Sequence, residues 1–159
     1  MSEANVSETD ASTAQTDGSP AFHVEKLYLK DLSFESPHSP EVFLESAEPK
    51  VDFNLETGTV QKGAEHFESV LHVTVKVLAG ERTLFLVDLT FAGLFLLRNM
   101  PQELVAPMLG IECPAILFPY VRQIVSEMIM QGGFKPIVLD PINFSALFHQ
   151  SRNRNPAVQ

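Results

Sequence analysis

One cysteine, five histidines and twenty carboxylates are the side chains with chemistry to offer, and their spacing limits what they can do. Cys113 could serve as a nucleophile if a distant histidine met it in space. It stands between Glu112 and Pro114 in an apolar run, where desolvation and a nearby carboxylate both raise a thiol's pKa, so it reads as a packed thiol. His23, His38, His66, His72 and His149 are scattered, with no H-E-x-x-H and no second cysteine. Zinc therefore finds no ligand set. His66 and His72 share strand parity, but six residues of strand span about 20 Å, too far to share a metal. Neither a G-x-x-x-x-G-K-S/T nor a G-x-G-x-x-G motif occurs, so nothing cradles a nucleotide phosphate. Asp88, on the most apolar stretch, is the one carboxylate in an unusual setting, expected to be hydrogen-bonded or edge-facing. No catalytic constellation forms. The chain reads as a binding protein that needs no cofactor, not as an enzyme.

Composition narrows the partner. A formal charge of −9 repels phosphates and argues against nucleic acid. Residues 25–68 hold ten acids against four lysines, a segment suited to steering basic partners. Twelve phenylalanines, two tyrosines and no tryptophan favour apolar surface that needs no hydrogen-bond partner. A lone cysteine permits no internal disulfide. The first twenty residues carry four acids, no basic residue and no apolar stretch, which is unlike a signal peptide. The apolar run from Leu84 to Leu97 contains Asp88 and is too short to span a bilayer. The expected location is the cytoplasm.

The elements that must position any site follow from periodicity. Residues 1–20 are expected to be a disordered acidic tail, 21–150 a single domain and 151–159 a flexible tail. Phe22 and Val24 share one parity, Leu27 and Leu29 the other, and Leu32 and Phe34 return to the first. A strand with two bulges is implied, because strand side chains alternate with period two. Pro37 and Pro40 force an irregular crossover carrying Val42, Phe43 and Leu44. Val51, Phe53 and Leu55 mark a half-buried strand ending near Gly58, and Phe67 to Val77 mark another. Thr83 to Leu97 is apolar on both faces. From Pro101 the pattern turns helical: a short segment to Leu109, a main helix after Pro114 ended by Gly132-Gly133, and a final helix from Ile142 to Gln150. The stretch Gly110 to Tyr120 is almost wholly apolar, with Pro119 expected to kink the helix or delay its regular part. Such a surface belongs in a core or a subunit interface. Four strands followed by helices make an α+β domain: a four-stranded antiparallel sheet with helices packed on one face.

Three stretches resemble the SecB family of bacterial protein-export chaperones: Tyr28-Leu29-Lys30-Asp31-Leu32-Ser33-Phe34-Glu35-Ser36-Pro37; Leu109-Gly110 with Cys113-Pro114, Ile116-Leu117-Phe118-Pro119-Tyr120 and Arg122; and Pro141-Ile142-Asn143-Phe144 with Ala146-Leu147-Phe148. The resemblance implies a homotetramer assembled as a dimer of dimers. It also implies ATP-independent holding of unfolded precursor proteins and their delivery to the translocation ATPase SecA, whose basic zinc-binding tail would dock on an acidic sheet face. By the same resemblance, Asp31, Glu35, Ala79 and Glu81 form the SecA surface, although Ala79 is smaller than the family's residue can be and Arg82 stands in place of a possible acid. Val42, Phe43, Leu44, Val51, Phe53, Ile137 and Leu139 would line the client groove, with Ala47 where the family often has Trp. Cys113, Ile116, Leu117, Tyr120 and Ile124 would lie between dimers. A carrier of a lipid or other small apolar ligand is the alternative; it would account for the phenylalanines but not for the acidic strip.

Overall fold

The computed structural model describes residues 18–154. The chain runs through β1 (Ala21–Glu35), a 3-10 turn (Glu41–Leu44), β2 (Pro49–Gln61), β3 (His66–Ala79) and β4 (Arg82–Arg98), then α1 (Gln102–Pro107), a π-helical turn (Met108–Glu112), α2 (Cys113–Gln131) and α3 (Phe144–Arg154). The four strands form one antiparallel sheet in the order β1-β4-β3-β2. Most of the tail expected over 1–20, and the residues after 154, lie outside the described residues.

Strand β4 is the reason for this order. Phe85, Val87, Leu89 and Phe91 point to one face, where they are buried with Leu71, Val73, Val75 and Val77 of β3. Leu86, Leu94 and Leu96 point to the other. A strand apolar on both faces belongs in the interior of a sheet, and β4 has β1 on one side and β3 on the other. Helix α2 covers the first face by burying Cys113, Pro114, Leu117, Phe118, Val121, Val125 and Ile129, the three- and four-residue spacing of one helical stripe.

The parity slips read in β1 are real. Its register against β4 shifts between Val24 and Lys26 and again between Leu29 and Asp31, so Phe22, Leu27, Leu32 and Phe34 all reach the helix-covered core. The extra residue at each slip re-aims the strand. Gly58, by contrast, does not end β2, which continues to Gln61 paired with Phe67.

The helical region differs more. Instead of a short segment, a gap and a main helix, α1, the π turn and α2 form one helical run from Gln102 to Gln131. By length and composition that run could cross a bilayer, but one stripe of its α2 portion is already packed on the sheet. Pro119 lies inside α2 without ending it. The helix stops as expected: Gly133 adopts φ 87°, and its N–H and that of Phe134 bond to the carbonyls of Met130 and Ile129 at 3.0 and 3.2 Å, a Schellman closure. Helix α3 begins after Asn143, whose Oδ1 accepts from the Ala146 N–H at 3.0 Å, an N-cap. It continues to Arg154, so Ser151 to Arg154 are helical and not the start of a flexible tail. Arg152 lies 5.3 Å over the Phe148 ring, and that cation–π contact helps carry the last turn.

Gly132 sits where a Cβ would strike the Phe34 ring, itself stacked on Phe85 at 5.9 Å. Gly132→Val is expected to destabilise the protein by about 1–3 kcal/mol through overpacking, read as a lowered denaturant midpoint with an unchanged slope.

Candidate functional site

The helix-covered side and the bare side of the sheet offer different surfaces. On the helix side, Val51 and Phe53 of edge strand β2 stay 46 % and 43 % exposed, since α2 packs over β3 and β4 and does not reach them. The segment between α2 and α3 comes down beside them. Val51, Phe53, Ile137, Val138, Leu139, Asp140, Pro141 and Ile142 line a groove of about 390 Å³. Farther along the same strand, Leu55 and Thr57 with Gly110, Phe144, Leu147 and Phe148 line a second hollow of about 210 Å³. From Val51 to Thr57 the strand covers about 20 Å, so the two hollows make a trough one extended segment long. The outer backbone edge of β2 runs beside it.

Of the residues expected in a client groove, Val51, Phe53, Ile137 and Leu139 meet here. Val42, Phe43 and Leu44 do not line it. Val42 is buried at 5 % exposure and offers no free surface, while Leu44 is 89 % exposed in the crossover. Phe43 packs against Phe134 with ring centroids 5.0 Å apart, and Phe134 against Phe85 at 4.7 Å, which ties the crossover to the end of α2. The sequence reading missed Val138, Pro141 and Ile142. The Pro136 and Pro141 pair was the available signal, because it holds this segment out of helix beside the strand.

The bare face is polar. Strand registers bring Asp31, Thr90, His72 and Glu56 into one row across the sheet, and Ser33, Asp88, Thr74 and Asn54 into the next. Glu35, Leu86, Lys76 and Asp52 form the third. The bulge after Leu29 puts Asp31 and Glu35 on this face. His72 lies between two carboxylates, with Nε2 3.0 Å from Asp88 and Nδ1 3.5 Å from Glu56. The Asp88 hydrogen bond holds its pKa above the ordinary histidine value; partial burial opposes this and Glu56 adds to it. Asp88 also accepts from Thr74 Oγ1 at 3.2 Å, so the hydrogen-bonded reading of Asp88 holds.

Toward the other end of the face, Glu68 is buried at 7 % exposure. It accepts from Tyr28 Oη at 2.5 Å and from Lys30 Nζ at 3.2 Å. The Tyr28 bond holds the Glu68 carboxyl below its usual range against the cost of burial, while burial, then Glu68, pushes Tyr28 up to about 12. Tyr28 lies directly across from Ala92 of β4, and Glu68 from Leu94.

Glu81 is exposed in the β3–β4 turn, at the end of the sheet nearest Glu35, where Gly80 takes φ 63°. Ala79 is only 5 % exposed and has the parity of the opposite face, so it does not join Asp31 and Glu35. Arg82 donates to Glu45 at 2.5 Å, which turns its charge into the crossover. On α2, Cys113 and Leu117 are 0 % exposed against the protein's own sheet. They have no surface left for a second subunit; of the other three, Tyr120 is exposed, while Ile116 and Ile124 are half-buried at the margin of the core. Among the described residues no three His, Cys, Asp or Glu side chains could share a metal ion.

The class these features define is an α+β domain built on a four-stranded antiparallel sheet, with an apolar trough along one edge strand and a polar second face. The comparisons agree: the model of the family described as preprotein translocase subunit SecB matches residues 15–155, and the chain belongs to the SecB family of protein-export chaperones. It is 53 % identical over 141 residues to the protein-export protein SecB of Magnetococcus marinus, covering 88 % of this chain and 90 % of that one. With the protein of the same name from Chromobacterium violaceum it shares 47 % over 133 residues, 84 % and 89 % of the two chains. The solved structure of a Mycobacterium tuberculosis SecB-like chaperone, in complex with a ChAD peptide from the HigA1 antitoxin, has the same fold with TM-score 0.64 at 15 % identity, over 76 % of this chain and 90 % of that one.

Burial, then the Glu112 charge, pushes the Cys113 thiol up to about 12. Since the thiolate is the reactive form, a thiol reagent at pH 8 is expected to label the native protein at least tenfold more slowly than the denatured one. Equal rates would restore Cys113 as a candidate nucleophile.

Proposed function

We propose that this protein holds unfolded precursor chains in the β2 trough without ATP, in the cytoplasm, and passes them to SecA. The observation that carries the reading is the trough itself: exposed apolar side chains at alternate residues of an edge strand, facing an irregular apolar segment. An extended client would seat alternate apolar side chains in the two hollows and could hydrogen-bond its backbone along the open strand edge. Each contact is weak, so affinity would come from several segments engaging together, and selectivity would be low.

Assembly as a dimer of dimers would multiply these troughs. Ile116, Tyr120 and Ile124, four residues apart on α2, form a ridge suited to self-complementary packing. Delivery would use the bare sheet face, where Asp31, Glu35 and Glu81 attract the basic zinc-binding tail of SecA. Charge pairing of this kind chiefly sets encounter rate and orientation. Cys113 and Leu117 drop out of the interface, and Ala79 out of the docking surface, for the burial described above.

Each part has its own measurement. Val51→Asp with Phe53→Asp should weaken retention of a reduced, unfolded client at least tenfold in an aggregation assay while leaving SecA-tail binding intact. Asp31→Lys with Glu81→Lys should do the reverse in calorimetry; unchanged tail affinity would remove the docking face. Tyr120→Asp should halve the mass seen by light scattering, and a wild-type protein that is monomeric and carries bound lipid would favour the carrier reading instead.

A further inference from the structure

We infer that His72 is a proton-operated control on the basic-partner docking face, weakening docking when it is charged. The inference rests on the docking reading above. It comes from the row Asp31–Thr90–His72–Glu56, which puts an imidazole in the middle of the acidic surface, two strands or about 10 Å from Asp31.

Both ring nitrogens face carboxylates, Asp88 on β4 and Glu56 on β2. A neutral ring has only one N–H to donate, whereas an imidazolium has two, so the arrangement suits the charged form. The other charged groups facing His72 are few. On its own strand, Lys76 and Glu68 lie four residues away on the same face, about 13 Å in either direction. On β1, Asp31 lies beyond Thr90. The helices pack on the opposite side of the sheet.

With His72 neutral, Asp31, Glu35, Asp52, Glu56 and Asp88 stand on these three rows against Lys76 alone. With His72 charged, Asp88 and Glu56 are already engaged, and a partner's lysine or arginine meets a less negative surface. The sign for stability is opposite. A histidine whose folded pKa is raised stabilises the fold fully below the unfolded value of about 6.5 and loses that contribution as pH rises through the folded pKa. Docking therefore strengthens over the pH interval in which the fold loses this support. Linkage requires the converse as well: a basic partner must expel a proton when it binds.

The test is calorimetry of the zinc-loaded SecA tail peptide against full-length protein at pH 6.0 and 8.0, in two buffers of different ionisation heat. The wild type should bind about three- to fivefold more tightly at pH 8.0 and release protons on binding at intermediate pH. His72→Gln should hold the tight affinity at both pH values with no proton release from this site. His72→Arg should hold the weak one. A pH dependence surviving unchanged in His72→Gln, with the variant still folded by circular dichroism, overturns the inference alone. Failure of the wild type to bind the peptide at any pH overturns the docking reading and this inference with it.

Discussion

Everything in the molecule is arranged around a strand that must keep water from the whole of one face and from part of the other. β4 carries Phe85, Val87, Leu89 and Phe91 on one side and Leu86, Leu94 and Leu96 on the other, and burying such a strand outweighs any local preference of its neighbours. It must lie inside the sheet, so β1 folds back to flank it and β3 takes its other edge. Its first face calls for α2. Its second face has no helix, and the Tyr28–Glu68–Lys30 group supplies part of a roof there. The buried carboxylate of Glu68 is tolerable because two donors satisfy it.

From that constraint comes the division of labour between surfaces. α2 is centred on β3 and β4, so edge strand β2 keeps apolar side chains that nothing in the described residues fully covers. Their neighbours on that side are the proline-held segment before α3, the π turn and α3 itself. The bare face, freed of helices, is polar over the rows from Glu35 to Asp31 except at Leu86. A single sheet thus presents grease on one side of an edge and charge on the other. Under the proposed function, a chain in the trough and a basic partner on the acidic rows would not compete for the same atoms.

Period-two logic went far in reading this fold. The two slips in β1 were visible as changes of parity among Phe22, Leu27 and Leu32, and the two-faced character of β4 was plain from its composition. What escaped was whatever depends on long-range register or on the direction a stripe faces. Cys113 and Leu117 share a helical stripe that periodicity can find, but periodicity cannot say whether the stripe meets its own sheet or a partner. His72, Asp88 and Glu56 are far apart in sequence and become neighbours only once three strands are aligned. The unbroken helix through Gly110 was hidden by glycine and proline signals, which the π turn accommodates. In the trough, Val138 and Ile142 lay in a loop, where no period exists to mark them.

The two bulges in β1 have one more effect. Between them the strand offers regular ladder only over Ala21–Val24, Lys26–Leu29 and Asp31–Glu35, and a straight incoming strand would fall out of phase after four or five residues. β2, at the opposite edge, pairs with β3 over thirteen residues without a shift. The domain therefore has one edge that resists indiscriminate zippering and one that accepts a long strand. If the protein holds extended chains as proposed, this asymmetry would guard it against becoming the seed of an aggregate itself.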